Sequence, residues 1–362
     1  MNEMEVYPEV FRRLERQEPV VLATIVDAEG ATPQVPGASA LFGERGLLLG
    51  TLGGGVLEAG AGMKASLCLK TGDSLFYRFD LQGEDAAAGA PICGGFVWIL
   101  VDGSPGKKRE TWRRLADALQ DRRGGVLATR ILRRDEDQAE VERAWLDERT
   151  PDLDAESSFR RFTRELTQAK RQGKPVVLQE QGIHPKSGQA ITFLQPIAPP
   201  PRLLILGAGH IGRALARQAA WLDFEVTVID DRAEFACRER FQEGTALVVG
   251  EIERAVREFP ISADTYIVIV TRGHSHDAEA LRVCIRSPAA YLGMVGSRNK
   301  VALMRERFLR EGWASSQEWD RVHTPIGLKI GSRTVEEIAV SIAAELIQVR
   351  SRIREAKAGE GL

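Results

Sequence analysis

The chain of 362 residues is long enough for two domains, and 43% of its residues are hydrophobic, which is enough to fill two cores. Lysine and arginine total 49 against 51 aspartate and glutamate, so the net charge of -2 argues against nucleic acid or an anionic membrane as a partner. There is no apolar run of transmembrane length and no secretion leader, which predicts a cytoplasmic protein. The four cysteines show no disulfide-framework or zinc spacing.

The first part of the chain, residues 1–195, is predicted to be an α+β domain. Its apolar runs PVVLATIVDAEG, SALFGERGLLLGTL and GGFVWILVDG are separated by glycine and proline turns, as strands are. Between them the sequence predicts a helix with Leu57, Met63 and Leu67 on one face. The densely charged segment of about 105–170 is predicted to add exposed helices and strands to this domain.

Three consecutive glycines, Gly53 to Gly55, stand between a strand-like run and the start of the predicted helix, with Glu58 just beyond them. The Lys-Ser/Thr pair of a nucleotide P-loop is missing, because Val56 follows the triplet. Glycines allow positive φ and a close approach to backbone N–H groups, so the loop is predicted to bind a flat or anionic ligand. A tight turn without a ligand is the alternative.

A proline-rich linker at 196–201 separates the first domain from a predicted doubly wound domain at 202–355, and a flexible tail follows at 356–362. The second domain alternates helices with strands, as a parallel Rossmann-like sheet requires. The predicted strands are 202–206, 225–229, 246–249, 265–270 and 290–293. In the last helix, Thr334 and Glu337 predict a capping box. Its apolar stripe is predicted to pack on the sheet or on a second subunit.

The sequence LLILGAGHIGRALA places Gly207, Gly209 and Gly212 in G-x-G-x-x-G spacing, directly after a predicted strand and at the start of a helix. This arrangement predicts a dinucleotide-type fold, whereas binding of NAD(P) itself stays open because the fold has many functions. Asp230, at the end of the second strand, suits a ribose 2′-hydroxyl, and Arg232 suits a 2′-phosphate. We expect NAD rather than NADP.

The loops after the fourth and fifth predicted strands also carry polar residues. His274, His276 and Asp277 follow the fourth strand, where they could bind a metal, act as acid or base, or cap a helix. We favour polar contact with a bound ligand. After the fifth strand come Gly296, then Ser297 as a predicted N-cap and Arg298 as a predicted phosphate or carboxylate ligand, although Arg298 could equally pair with a surface acid.

Because parallel strands end at one edge of a sheet, these loops are predicted to line a single crevice. We expect this crevice to face Gly54 and Cys93 across the domain interface, since small-molecule sites favour such interfaces.

With these motifs together, the sequence resembles the xanthine dehydrogenase accessory protein family, also called the XdhC/CoxI family. The resemblance rests on GATPQVPGASALF, GTLGGGVLE and ICGG in the first domain and on GAGHIGRALA, TRGHSHDAEAL, AAYLGMVGSR and TPIGLKIGSRTVEEIAVSIAAELI in the second. It implies a maturation chaperone that binds the molybdenum cofactor (molybdopterin) while a cysteine desulfurase acts on it, and that then delivers it to an apo molybdenum hydroxylase such as xanthine dehydrogenase. A homodimer is a further expectation.

The sequence departs from the family pattern after the glycine triplet, where Val56 stands in place of a cysteine that many relatives carry. Cys93 is then the candidate soft ligand for the molybdenum centre, because Gly94 and Gly95 leave it accessible; a buried, inert cysteine is the alternative. The competing function is an NAD(P)-dependent oxidoreductase with His274, His276 or Asp277 as catalytic groups. The glycine and cysteine motifs of the first domain favour the non-catalytic chaperone.

Overall fold

The computed structural model describes residues 5–81, 94–135, 137–149, 159–179 and 188–359. The chain divides into two compact units, one formed mainly by Met1–Pro199 and the other by Pro200–Glu355. No helix within the described ranges is both long enough and apolar enough to cross a membrane.

The N-terminal unit is an antiparallel sheet flanked by helices. Nine of the described strands form the sheet in the order β3-β2-β1-β5-β4-β7-β6-β9-β8. The strands are β1 (Val21–Glu29), β2 (Ser39–Gly43), β3 (Gly46–Gly50), β4 (Ser74–Asp80), β5 (Phe96–Asp102), β6 (Gly125–Arg133), β7 (Gln138–Leu146), β8 (Val176–Gln179) and β9 (Ala190–Ile197). The helices are α1 (Val6–Glu15), α2 (Gly55–Thr71), α3 (Arg109–Gln120) and α4 (Thr163–Gln172), with short 3₁₀ turns at Pro105–Lys108 and Arg160–Phe162.

Alternation along β1 sends its side chains to two different cores. Val21 and Ala23 pack in one core with α2, whereas Leu22 packs in another core with α1 and α3. The sheet is therefore covered on both faces where these helices lie, which explains why β1 reads as a nearly continuous apolar run.

The predicted apolar face of α2 is wrong. Met63 is 73% exposed and Leu67 is 53% exposed, and of the three predicted residues only Leu57 is buried. Small side chains form the buried face instead, namely Ala61, Ala65 and Cys68 beside Leu57. Apolar residues occur around the whole helix with no amphipathic period, so periodicity could not identify which face packs. The close approach of α2 to the sheet selected the small residues.

The charged segment 105–170 forms helices and strands, but they are an integral part of the sheet and not exposed additions. Strand β6 pairs with both β7 and β9, and α3 buries Trp112 and Leu115. Even a charged pair is internal, because the Arg143 guanidinium contacts the Asp102 carboxylate with both side chains almost fully buried. The average charge of a segment therefore does not show which faces of its helices and strands are internal.

The C-terminal unit is a parallel sheet of the predicted Rossmann type. The described strands run in the order β12-β11-β10-β13-β14-β15, and each neighbouring pair is parallel. They are β10 (Arg202–Leu206), β11 (Glu225–Asp230), β12 (Ala246–Val249), β13 (Thr265–Ile269), β14 (Tyr291–Met294) and β15 (Val322–His323). The five predicted strands are confirmed, and the order reverses between β10 and β13, which is the position where such folds bind ligands.

Helices cover both faces of this sheet. Leu203 and Ile205 pack with the first and last helices, and Leu204 and Leu206 pack with the helices between them. The helices are α5 (His210–Trp221), α6 (Ile252–Glu258), α7 (His274–Cys284), α8 (Arg298–Arg310), α9 (Ser316–Asp320) and α10 (Val335–Gly359), with a 3₁₀ turn at Arg238–Arg240.

The capping box predicted for α10 is confirmed. The Glu337 carboxylate accepts from the Thr334 backbone N–H (3.0 Å), and the Glu337 N–H donates to the Thr334 hydroxyl (3.2 Å). The apolar stripe of α10 packs on the sheet through Ala339, Ile342 and Leu346.

Candidate functional site

Three glycine-containing loops of the N-terminal unit meet at one end of its sheet, and we call this place the glycine corner. It consists of residues 30–37 after β1, 53–55 after β3 and 94–95 before β5. A Cβ atom built on Gly30 would lie 2.8 Å from the Gly94 carbonyl oxygen, and one built on Gly53 would lie 2.9 Å from the Pro33 ring. These contacts are too close for a side chain, so the three loops can approach each other only through glycine.

The glycine triplet has a backbone that other residues rarely adopt. The φ angles of Gly53, Gly54 and Gly55 are +105°, +72° and +57°. A Cβ atom on Gly54 or Gly55 would have no heavy atom within 4 Å, so this side of the loop is open. No side chain caps α2, and in the described part of the chain the N–H groups of Gly54 and Gly55 have no protein acceptor. The loop therefore presents open N–H groups at a positive helix end, as an anion requires.

Glu58 holds this loop in place. Its Oε2 atom accepts from the Thr51 hydroxyl (2.8 Å) and from the Leu52 backbone N–H (3.2 Å). The Thr51 hydroxyl oxygen in turn accepts from the Gly53 N–H (3.0 Å). This geometry favours a positioning role for Glu58, which sequence reasoning had placed among the cofactor-binding residues.

Cys93 lies outside the described residues, so its predicted role as a molybdenum ligand stays a prediction. The sites of two other cysteines are unfavourable for a thiolate, because burial raises the pKa of the Cys68 thiol to about 11 and that of Cys284 to about 12. Cys237 is partly exposed and its Sγ lies 3.5 Å from the Glu234 carbonyl oxygen.

Val56 lines a cavity of about 470 Å³ next to the glycine corner. The cavity lies between α2 and β4, and its other lining residues include Met63, Lys64 and Tyr77. The Lys64 ammonium bonds to the Asp137 carboxylate (3.0 Å) and lies over the Tyr77 ring. Val56, where the family resemblance led us to expect a cysteine, is therefore beside both the glycine triplet and this cavity.

In the C-terminal unit the fingerprint glycines join β10 to α5 as predicted. A Cβ atom on Gly207 would lie 2.4 Å from the Val270 carbonyl oxygen, and one on Gly212 would lie 1.9 Å from the Gly207 carbonyl oxygen. Gly209 is different, because it is the N-cap of α5 and its Cβ position is open. Two glycines thus allow close packing, and the third leaves room for a ligand at the helix N-terminus.

Asp230 is buried beneath this loop and fully hydrogen-bonded. Its Oδ2 accepts from the Ala208 N–H (2.7 Å) and Arg232 Nη2 (3.0 Å), and its Oδ1 accepts from Arg232 N (3.0 Å) and Arg232 Nε (2.9 Å). Burial favours the neutral acid, but these bonds outweigh it and hold the pKa of Asp230 below its ordinary value. A ribose hydroxyl would have to displace Arg232 to reach this carboxylate.

The loops after β10, β11, β13 and β14 leave the same edge of the parallel sheet, as expected. His274 is the first residue of α7, after the N-cap Gly273. His276 lines a cavity of about 270 Å³ together with Asp231, Glu251, Glu253 and Glu279. Within the described ranges, no group of three histidine, cysteine, aspartate or glutamate side chains is placed to hold a metal ion.

Asp277, a candidate acid, forms a buried ion pair that the sequence did not indicate. Its side chain is 1% exposed and its carboxylate contacts the Lys300 ammonium, which extends from α8. Thr271 donates to the same carboxylate from its hydroxyl and from its backbone N–H (3.2 Å). These contacts tie the N-terminal ends of α7 and α8 to the loop after β13, so the geometry favours a positioning role.

Ser297 is the N-cap of α8, as predicted, because its hydroxyl accepts from the Lys300 N–H (3.3 Å). Arg298 is the first residue of α8 and is exposed. Among the described residues Arg298 has no ion-pair partner, so the alternative in which it pairs with a surface acid is not observed. Gly296 precedes this helix start, and all three residues lie at the same sheet edge as the fingerprint loop.

A second buried network was not predicted. The Glu345 carboxylate of α10 accepts from the Tyr291 hydroxyl (2.5 Å) and the Gly327 N–H (2.9 Å), and it lies 3.3 Å from His323 Nδ1. Burial alone would raise the pKa of Glu345, but these hydrogen bonds hold it below its ordinary value. Burial also raises the pKa of Tyr291. The network joins β14 and β15 to α10, whose residues are distant in the sequence.

Comparison with known proteins places both units in one family. Residues 203–346 match the model of the XdhC Rossmann domain, and residues 13–80 match the model of the XdhC and CoxI family. The chain is similar to a protein of Bacillus subtilis (strain 168) described as a probable xanthine dehydrogenase subunit. The identity is 29% over 352 residues, which cover 94% of this chain and 96% of the relative.

Two further similarities concern a partial relative and a solved structure. An uncharacterized protein of Escherichia coli (strain K12), YqeB, is 40% identical over 152 residues, which are 42% of this chain and 28% of YqeB. The crystal structure of a xanthine dehydrogenase from Bacillus halodurans has a TM-score of 0.73 and 25% identity, with 97% of each chain covered.

Proposed function

Because the chain belongs to the XdhC and CoxI family, we propose that it is an accessory protein that binds the molybdenum cofactor and helps to insert it into a molybdenum hydroxylase such as xanthine dehydrogenase. The proposal assigns no chemical step to the protein itself. Its task is to hold an anionic pterin cofactor in a defined orientation until transfer.

The open backbone of the glycine corner is the observation that carries this proposal. The N–H groups of Gly54 and Gly55 have no acceptor in the described part of the chain, and the space beside them is free of protein atoms within 4 Å of each Cβ position. Molybdopterin carries a phosphate and a flat ring with many hydrogen-bonding groups, so backbone N–H donors suit it without a P-loop lysine. The donor set at the glycine corner therefore fits this cofactor.

A steric probe tests the proposal directly. In Gly55→Ala the new methyl group enters the open space where the cofactor would lie, so we expect purified protein to retain about tenfold less cofactor. The control is Gly72→Ala at the other end of α2, which has a similar φ (+73°) and an equally open Cβ position. Molybdenum content and the fluorescence of the oxidised pterin are measured for both variants, purified from a host that makes the cofactor.

The control separates backbone strain from a lost binding site, because both substitutions force alanine into positive φ. Equal pterin content in Gly55→Ala and Gly72→Ala would overturn the assignment to the glycine corner. Wild-type protein that carries nicotinamide, but neither pterin nor molybdenum, would favour the NAD(P)-dependent oxidoreductase instead.

We propose further that the Cys93 thiolate contacts the molybdenum centre. Cys93→Ala is then expected to lower retained molybdenum about tenfold with little change in the thermal midpoint, because a small side chain beside two glycines fills little core volume. Cys237→Ala, in the C-terminal unit, is the matched control and should retain the cofactor. If Cys93→Ala keeps its molybdenum, the ligand role is ruled out. If it loses stability by roughly 1 to 3 kcal/mol with no specific cofactor loss, Cys93 is a packing residue.

The partners follow from the family and belong to the same proposal. An apo molybdenum hydroxylase would receive the cofactor, and a cysteine desulfurase would act on it while it is bound. A homodimer would supply two copies of the glycine corner. Co-purification of tagged protein with each partner, and the mass in solution from light scattering, test these three statements separately.

A further inference from the structure

The exposed side of α5 forms a groove that the proposed function does not use. Residues of α5 at helical spacing line it, namely His210, Arg213, Ala214, Arg217, Gln218 and Trp221. They face the segment 239–242 and the start of α10 at Val335 and Glu336, around a volume of about 770 Å³. We call this the α5 groove, and its size is that of a site for a small organic ligand.

The positive charges of the α5 groove are not neutralised by ion pairs. Within the described ranges, Arg213, Arg217 and Arg240 have no carboxylate oxygen within 4 Å, although Glu239 and Glu336 also line the groove. Arg213 and Arg217 are four residues apart on one helix, where like charges repel. An arrangement that tolerates such repulsion is typical of a surface that binds an anion.

Arg240 connects the α5 groove to the fingerprint loop. Its Nη2 atom donates to the Ala208 carbonyl oxygen (3.3 Å), its guanidinium lies 4.6 Å from the Phe235 ring centroid, and its buried Nε has no hydrogen-bond partner in the described part of the chain. A buried donor without an acceptor costs stability unless a ligand supplies the acceptor. The anion-binding end of the groove therefore begins beside the N-terminus of α5.

An aromatic surface lies at the other end of the α5 groove. Trp221, the last residue of α5, is 71% exposed, and the Arg217 guanidinium lies 5.8 Å from its ring. An indole with this exposure offers a face on which a flat heterocycle can stack, and a neighbouring guanidinium strengthens such stacking. A ligand that carries both a phosphate and a flat ring could contact the arginines at one end of the α5 groove and Trp221 at the other.

We propose that the α5 groove binds a phosphorylated heteroaromatic compound, with its phosphate at Arg240, Arg213 and Arg217 and its ring towards Trp221. Two compounds share this chemistry, a nucleotide and the phosphorylated pterin of the molybdenum cofactor. With a nucleotide as the ligand, the inference goes beyond the proposed function. With the pterin as the ligand, it rests on the proposed function and places the cofactor phosphate in the α5 groove instead of at the glycine corner.

Calorimetric titration of the full chain with ADP tests the groove. We expect ADP to bind, adenosine to bind at least tenfold more weakly, and Arg217→Gln and Trp221→Ala each to weaken ADP about tenfold. Binding should also weaken as salt rises. The control is Arg254→Gln on α6, an exposed arginine already paired with Glu258 (3.0 Å), which should bind ADP as the wild type does.

Pterin retention by the same variants distinguishes the two sources of the phosphate. If ADP fails to bind but Arg217→Gln lowers retained pterin about tenfold, the groove takes the pterin phosphate. If ADP fails to bind and Arg217→Gln retains pterin normally, the inference is overturned. Gly55→Ala should leave ADP binding unchanged, so failure of the glycine corner and failure of the α5 groove are separate results.

Discussion

Gly212→Ala is expected to lower the free energy of unfolding of the C-terminal unit by about 3 kcal/mol or more. The new Cβ atom would lie 1.9 Å from the Gly207 carbonyl oxygen, which is a backbone atom and cannot rotate away. Relief of this overlap requires α5 to move away from β10. Such a movement would open the contacts that Leu215 and Ala219 make in the core beneath the helix.

Gly209→Ala is the control for this prediction, because it makes the same change two residues from Gly207. Its φ of -66° suits alanine and its Cβ position is open, so we expect stability to change by less than about 0.5 kcal/mol. Differential scanning calorimetry of the full chain gives the unfolding midpoint of each variant. Similar midpoints for the two variants would show that close packing at Gly212 does not limit stability.

Asp277→Asn and Lys300→Met are each expected to cost about 3 to 5 kcal/mol, because each leaves one charged or polar partner buried without the other. The side chain of Asp277 is 1% exposed and that of Lys300 is 13% exposed, so water cannot replace the lost partner. The double variant should recover part of this loss, since it removes both charges together. This pattern is expected of a positioning pair and not of a proton donor.

Urea unfolding of the two single variants and the double variant gives the coupling between Asp277 and Lys300. Single losses below about 1 kcal/mol, or losses that simply add, would contradict a buried pair. Asp277 would then again be a candidate catalytic acid of an NAD(P)-dependent oxidoreductase. Activity with a nicotinamide cofactor would be the next measurement.

The architecture of the C-terminal unit could be predicted because its signals are local. Strand bounds differ from the prediction by one residue at most, and the capping box at Thr334 was visible as two residues at fixed spacing. The N-terminal unit was harder, because the charge of the segment 105–170 concealed that its strands are internal to the sheet and that its Arg143 forms a buried pair with Asp102. Composition reports the average polarity of a segment and does not indicate which face of a strand is internal.

In the candidate site, too, local patterns could be read from the sequence and contacts between distant residues could not. Residue type and spacing made the glycine loops, His274 and His276 candidates and correctly predicted Ser297 as an N-cap. They gave no sign that Asp277 pairs with Lys300, 23 residues further on. Spacing also gave no sign that the Arg232 guanidinium donates hydrogen bonds to both carboxylate oxygens of Asp230. These bonds compete with the ribose hydroxyl that we expected Asp230 to bind. Contacts of this kind depend on which elements become neighbours, and no spacing rule contains that information.

By itself, the sequence determined the positions where only glycine can stand, from the triplet at Gly53 to Gly55 to the fingerprint at Gly207 and Gly212. Positive φ is a property of a single residue, and the close approach of Gly212 to the Gly207 carbonyl oxygen lies within one motif, so a short sequence can encode both. Only the tertiary structure decided that Ala61 and not Met63 is on the face of α2 that packs against the sheet. It also brought Arg240 to the fingerprint loop. These outcomes arise from distances between separate elements, which packing of the whole chain sets.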